Sequence, residues 1–250
     1  MTENSSKLPK SGRKLFFGLF IFPLLIAVGM AILLCSVVFL TSEEETPECL
    51  LAAIKTGSPS KRWQKAFELS NELNRGSASI RTEGAMKEIV HILEDRGHYD
   101  ARTRGYMALA LAHFRQEGAR RALREALTDP EEDVKIYSMW SLGEVGARET
   151  VPDILPYLGS ESSQIRKMAA YVLGVLAGPE EAPALQPLLG DSVADVRWNA
   201  ALSLARLGNP SGWDVLVKML ERETLAREHR LTEGEIEQVM TNAVKGLALI

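Results

Sequence analysis

Cysteine is scarce in this chain, with only Cys35 and Cys49 among 250 residues. Cys35 lies inside a long uncharged apolar run and Cys49 lies beyond it, so one side chain is expected in lipid and the other in water. The two are not expected to pair, and no disulfide framework or zinc spacing is available. Histidine is nearly as rare. His91, His98, His113 and His229 lack metal-ligand spacing, and surface or loop positions account for them. The chain has no nucleophile elbow, phosphate loop, dinucleotide fingerprint, His-Glu-x-x-His site or calcium loop. No catalytic residue, metal or cofactor is therefore expected, and no small-molecule substrate. Strand signals are missing as well, because Val, Ile, Thr and aromatic residues never alternate with polar ones for long. An excess of basic charge is also lacking. The formal net charge is −4 and the isoelectric point about 5.7, which argues against a nucleic-acid partner.

What the chain does have begins with one apolar run. Residues 15–40, LFFGLFIFPLLIAVGMAILLCSVVFL, carry no charge, and 18 of these 26 are Leu, Ile, Phe or Val. A membrane span needs about 20 residues. At about −0.3 to −0.6 kcal/mol each, the 18 favour insertion by roughly 5 to 11 kcal/mol. Pro23 is expected to kink the helix modestly. A cleaved signal peptide has an apolar core of about 7–15 residues and a small-residue cleavage site. This run is longer, and Phe39, Leu40, Thr41 and Ser42 offer no such site. Lys7, Lys10, Arg13 and Lys14 precede the run, and Glu43, Glu44, Glu45 and Glu48 follow it. Basic flanks stay cytoplasmic. The expected layout is a cytoplasmic tail over 1–14, an inner (plasma) membrane helix over 15–40, an acidic linker with a short helix over 41–59, and an extracytoplasmic domain over 60–250. In a bacterium that domain lies in the periplasm.

The remaining chain repeats itself. Asp133–Gly146, Gln164–Ala177 and Asp195–Gly208 align without gaps at a spacing of 31 residues. Val134, Ile165 and Val196 share a column, as do Leu142, Leu173 and Leu204. Thr103–Phe114 extends the register backward, and Val239, Asn242, Ala243 and Leu247 continue the phase near the C-terminus. Each unit reads as two helices. The first carries an apolar stripe at helical spacing, such as Val134, Ser138, Leu142 and Val145, with small residues at Ser138, Ala169 and Ala200 for close approach. The second carries pairs such as Ile154 with Leu158 and Leu185 with Leu189. Pro152 with Pro156, and Pro183 with Pro187, should make two of these second helices start late or bend. Thr232 and Glu235 suggest a capping box for the last helix. One pair cannot bury its stripe alone, so stacking supplies the core.

These residues resemble the HEAT repeat family, in particular the short HEAT-like repeats named after phycobilisome lyases. The likeness covers about residues 98–223 well and 60–95 more loosely. It implies an all-α solenoid of about five helix pairs behind one transmembrane helix. It also implies a structural ladder, in which Asp133, Lys135, Arg166, Asp195 and Arg197 hydrogen-bond between successive repeats. A solenoid of this kind implies a protein-binding scaffold. The family's bilin lyases offer the alternative of a lyase-like enzyme or accessory subunit.

Two surface features bear on a partner. Arg115, Arg120, Arg121 and Arg124 cluster, but Glu117 and Glu125 lie among them, which reads as a solvated helix face. Asp129, Glu131, Glu132 and Asp133 suit a helix N-terminus rather than an acid–base site. At about 100° per residue, Trp140 points away from the apolar stripe. Tyr171 shares its column, and Trp198 falls on a similar side. These three are the candidate partner-binding residues, with groove filling between helices as the structural alternative.

Overall fold

A computed structural model describes residues 17–41, 46–76 and 82–250. The basic tail, residues 15 and 16 of the apolar run, Glu43 to Glu45, and 77–81 of the loop after the first long helix pair's opening member lie outside the described residues. The chain forms two compact units, Met1–Thr46 and Pro47–Ile250.

The first unit holds one apolar helix, α1 (Phe22–Thr41), preceded by a π-helical turn over Phe17–Ile21. That turn lies just before Pro23, whose ring crowds the carbonyl four residues back and widens the helix there. No side chain from Phe17 to Val37 is buried. The segment is long and apolar enough to cross a membrane.

Every secondary-structure element described in the second unit is a helix or a helical turn. The unit opens with α2 (Pro47–Thr56), α3 (Pro59–Asn74), α4 (Glu83–Glu94), α5 (Ala101–Leu111), α6 (Glu117–Ala126) and α7 (Glu132–Val145). The short helix expected in the linker is α2. It buries Leu50, Leu51 and Ile54 against α3 and α4, so it belongs to the repeat core. After α7 the second helices break into pieces. A 3-10 turn, the four-residue α8 (Val151–Ile154) and another 3-10 turn over Leu155–Gly159 replace one helix. The same sequence surrounds α10 (Ala182–Leu185), after α9 (Ser163–Leu176). Pro152, Pro156, Pro183 and Pro187 sit in these segments and remove donors from any longer α-helix. The chain closes with α11 (Ala194–Arg206), α12 (Trp213–Lys218), α13 (Arg222–Arg227) and α14 (Glu233–Leu247).

The first helices α3, α5, α7, α9 and α11 stack side by side in one layer. Column residues explain the stacking. Leu111, Leu142, Leu173 and Leu204 are wholly buried, as are Ser138, Ala169 and Ala200 where neighbours approach. Ser141 donates to the Ala108 carbonyl at 2.8 Å, linking two repeats inside the core. Gly146 and Gly208 end α7 and α11 in the left-handed region, φ 71° in both, where a side chain would be strained. The capping box at Thr232 forms: its N–H donates to Glu235 Oε2 at 2.8 Å. Near the C-terminus Leu247 packs on the preceding repeat, while Leu249 and Ile250 are exposed.

Candidate protein-docking surface

A single column of basic residues, Arg104, Lys135, Arg166 and Arg197, runs along the first helices. Arg166 donates from Nε and Nη2 to Asp191 at 2.7 and 3.0 Å, and from Nη1 to the Ser160 and Glu161 carbonyls at 2.8 and 2.9 Å. Asp191 also accepts from the Val193 N–H at 2.8 Å. The Arg166 guanidinium and this N–H hold the Asp191 carboxyl below the usual range, against burial, which raises it. Arg104 repeats the arrangement with Asp129, which accepts from the Glu131 N–H at 2.9 Å and faces Arg96 at 3.2 Å. Among the described residues Arg197 hydrogen-bonds to the carbonyls of its own turn alone, Asp191 and Ser192, at 2.7 and 3.1 Å.

The carboxylates of these rungs are therefore Asp129 and Asp191, four residues before the expected Asp133 and Asp195. A loop residue faces the arginine of the previous repeat, whereas an acid inside the first helical turn points outward. Asp195 meets Lys167 at 3.4 Å across the repeat boundary. Asp133 and Lys135 make no side-chain hydrogen bond among the described residues. In the column of Asp129 and Asp191 the intervening repeat carries Ser160, so Lys135 has no carboxylate at that position.

Three of the four clustered arginines are paired with acids, Arg115 being the exception among the described residues. Arg120 pairs with Glu117 and, at 3.0 Å, with Glu149; Arg121 lies 3.8 Å from Glu125; Arg124 meets Asp153 at 2.6 Å. Two of these pairs tie α6 to the following repeat. Among the described residues no group of His, Cys, Asp and Glu is suited to a metal.

Trp140, Tyr171 and Trp198 are each half-buried. Arg206 lies over the Tyr171 ring at 5.3 Å, and the His229 ring meets Trp198 edge-on at 5.1 Å. Tyr171 and Trp198 line one groove of about 450 Å³, between α9, α11 and α14, together with Met168, Leu202 and Val239. This volume lies within the range of ligand clefts, about 300–1,000 Å³. Trp140 does not line it. Sequence reasoning missed a second aromatic series on the first-helix layer. Phe67 meets Tyr106 edge-on at 5.3 Å, and Tyr106 stacks on Tyr137 at 6.4 Å. Its signal was present: Tyr106 and Tyr137 are one repeat apart, and a Cβ on Gly105 would come within 2.8 Å of the Tyr137 ring.

The HEAT-repeats family model matches residues 86–163, 121–197 and 151–233 in overlapping segments, more than half of the chain. The chain belongs to the HEAT repeat family. The curated proteins give no match. Among solved structures, the HEAT solenoid is similar to the complex of CpcE and CpcF of phycocyanin lyase from a Nostoc species, at 22% identity and a TM-score of 0.60, covering 81% of this chain and 86% of that one. It is also similar to a designed armadillo repeat protein, at 17% identity and a TM-score of 0.50, covering 82% and 99%. An engineered protein matches at 18% identity and a TM-score of 0.52, covering 80% and 98%. At these identities the likeness establishes an all-helical HEAT or armadillo type of solenoid, a fold suited to protein binding.

Proposed function

We propose that this HEAT protein is a membrane-tethered, non-catalytic scaffold that holds a protein partner on the extracytoplasmic side. The groove flanked by Tyr171 and Trp198 carries the reading. It joins a broad apolar floor to a rigid support, the arrangement in which aromatic anchors dominate binding. Trp140 extends the same face as a further contact. The uncharged segment from Phe17 supports the tether, and the basic residues before it support an N-terminus on the cytoplasmic side. The repeat rungs, Arg166 with Asp191 and Arg104 with Asp129, keep the surface pre-organised, which lowers the entropic cost of binding.

The test is proximity labelling from the outer face, followed by pulldown with a Trp140/Tyr171/Trp198 triple-alanine variant. Loss of the labelled partners from a folded variant supports the reading; full retention makes the three side chains structural only. The lyase-like alternative has the fold of the CpcE and CpcF complex behind it and no residue-level support. Incubation with a bilin distinguishes it: a covalent adduct or spectral shift would favour that alternative over the scaffold.

A further inference from the structure

The last repeat departs from its own rule. Val196 and Val239 occupy the same column but are 43 residues apart, twelve more than the repeat. The extra residues include α13 and the turn after it. Arg230 in that turn has φ 54°, the one positive φ outside glycine among the described residues. Such a conformation costs about 1–3 kcal/mol and persists only where its surroundings enforce it. The insertion is seated by Leu225, which is buried, and by His229 against Trp198.

α14 meets the preceding helices differently along its length. Toward the end of α14, Gly246 lies so close to α11 and α12 that a Cβ would come within 3.1 Å of both Leu202 and Leu216. Toward the start of α14, Glu235 and Val239 line the groove together with Tyr171, Trp198 and Leu231 of the insertion. The floor is apolar. Of the charges lining it, Lys167 is met by Asp195. Among the described residues Glu235 is bonded to Thr232 alone, through the backbone N–H at 2.8 Å and the hydroxyl at 2.7 Å. Both bonds favour its ionised form, so the groove carries one uncompensated negative charge. Gln238 donates to Asn242 Oδ1 at 3.1 Å, and the Asn242 amide donors and the Gln238 carbonyl have no hydrogen-bond partner among the described residues.

We propose that this groove takes an extended segment of a partner protein, with an apolar side chain seated between Tyr171 and Trp198 and a neighbouring Lys or Arg meeting Glu235. The proposal rests on the docking reading above and assigns the partner's chemistry. Negative charge beside an apolar floor selects a basic–apolar segment and disfavours an acidic one. The spare amides suit the main chain of such a segment.

The probe is a pair of capped nonapeptides, Gly-Ser-Lys-Leu-Phe-Leu-Lys-Ser-Gly and its counterpart with both lysines replaced by glutamate. Binding is measured by calorimetry on the full chain in detergent. The basic peptide is expected to bind about tenfold tighter than the acidic one. Glu235→Gln should erase that preference while leaving the melting temperature unchanged, because glutamine also completes a capping box. Trp198→Ala should weaken the basic peptide by about tenfold or more. Because Trp198 also packs against His229, Glu235→Lys serves as the second arm and should reverse the preference. No binding of the basic peptide up to about 1 mM, or an equal affinity for both peptides, overturns the proposal. So does a self-associating chain whose dimer is dissolved by Glu235→Lys, since a second copy is then the occupant. If the triple-alanine pulldown loses its partner while the peptides show no charge preference, docking stands and this assignment falls. If the pulldown retains its partner, docking at the aromatic face falls, and the peptides still judge the groove directly.

Discussion

Replacing Asp191 tests the rung that joins the last repeats. Asp191→Ala removes two charge-assisted bonds from Arg166 and the bond from the Val193 N–H. A hydrogen bond to a charged group contributes about 1.5–3 kcal/mol net, and breaking a fully buried pair costs about 3–5 kcal/mol. Arg166 keeps two carbonyl partners, and its side chain is 15% exposed, so water reaches it and reduces the penalty. The expected loss is about 2–4 kcal/mol. Asp191→Asn keeps the turn bond and loses the charge, and should cost about 1–2 kcal/mol. Asp195→Ala removes only a long, half-exposed contact to Lys167 and should cost less than about 0.5 kcal/mol. Native-state hydrogen exchange is the suitable assay, because a solenoid need not unfold as one unit. Faster exchange should be concentrated in α9 and α11. If Asp191→Ala costs no more than Asp195→Ala, the rung assignment is wrong. The acid response follows from the same pair. The folded carboxyl titrates below its unfolded value of about 3.9. Its stabilisation is therefore present above about pH 4 and is lost as pH falls through the folded value. Asp191→Asn should flatten that part of the acid stability curve.

Gly174→Ala would place a Cβ 2.2 Å from the Ser203 Oγ and 2.7 Å from its Cα, and should lower stability by about 1–3 kcal/mol. Gly143→Ala meets only Val172, at 3.5 Å, and should be neutral or stabilising by up to about 1 kcal/mol; thermal melts compare the two. Thr232→Ala breaks the capping box and should cost about 1 kcal/mol, seen as faster exchange in the first turn of α14. Arginine at both Leu24 and Leu25 should disfavour insertion by about 5–7 kcal/mol and release the chain on alkaline carbonate extraction.

The repeat layer was legible because a gapless spacing of 31 residues fixes both where each first helix starts and which side it buries. α7, α9 and α11 begin at Glu132, Ser163 and Ala194, one repeat apart. The prolines also announced the broken second helices. The rungs were read one turn too late, because a column of matching letters does not say which side of a turn a carboxylate faces. Asp133 and Asp195 match in register, yet Asp129 and Asp191 lie in the loops where the arginines arrive. The groove was only half legible. Tyr171 and Trp198 were visible as aromatics off the stripe on adjacent first helices, but the groove also needs α14, and the twelve-residue departure from the repeat that precedes α14 carries no pattern of its own. The Phe67, Tyr106 and Tyr137 series escaped notice because two of its rings share a column while Phe67 belongs to the looser first unit.

The most direct test of the scaffold account replaces single residues by a photo-crosslinking amino acid in intact cells, at Tyr171, Trp198 and, on the second-helix side, the exposed Glu180. The account predicts that one discrete protein adduct forms at Tyr171 and Trp198 and is missing at Glu180. Adducts of equal yield at all three positions, or at Glu180 alone, would contradict it.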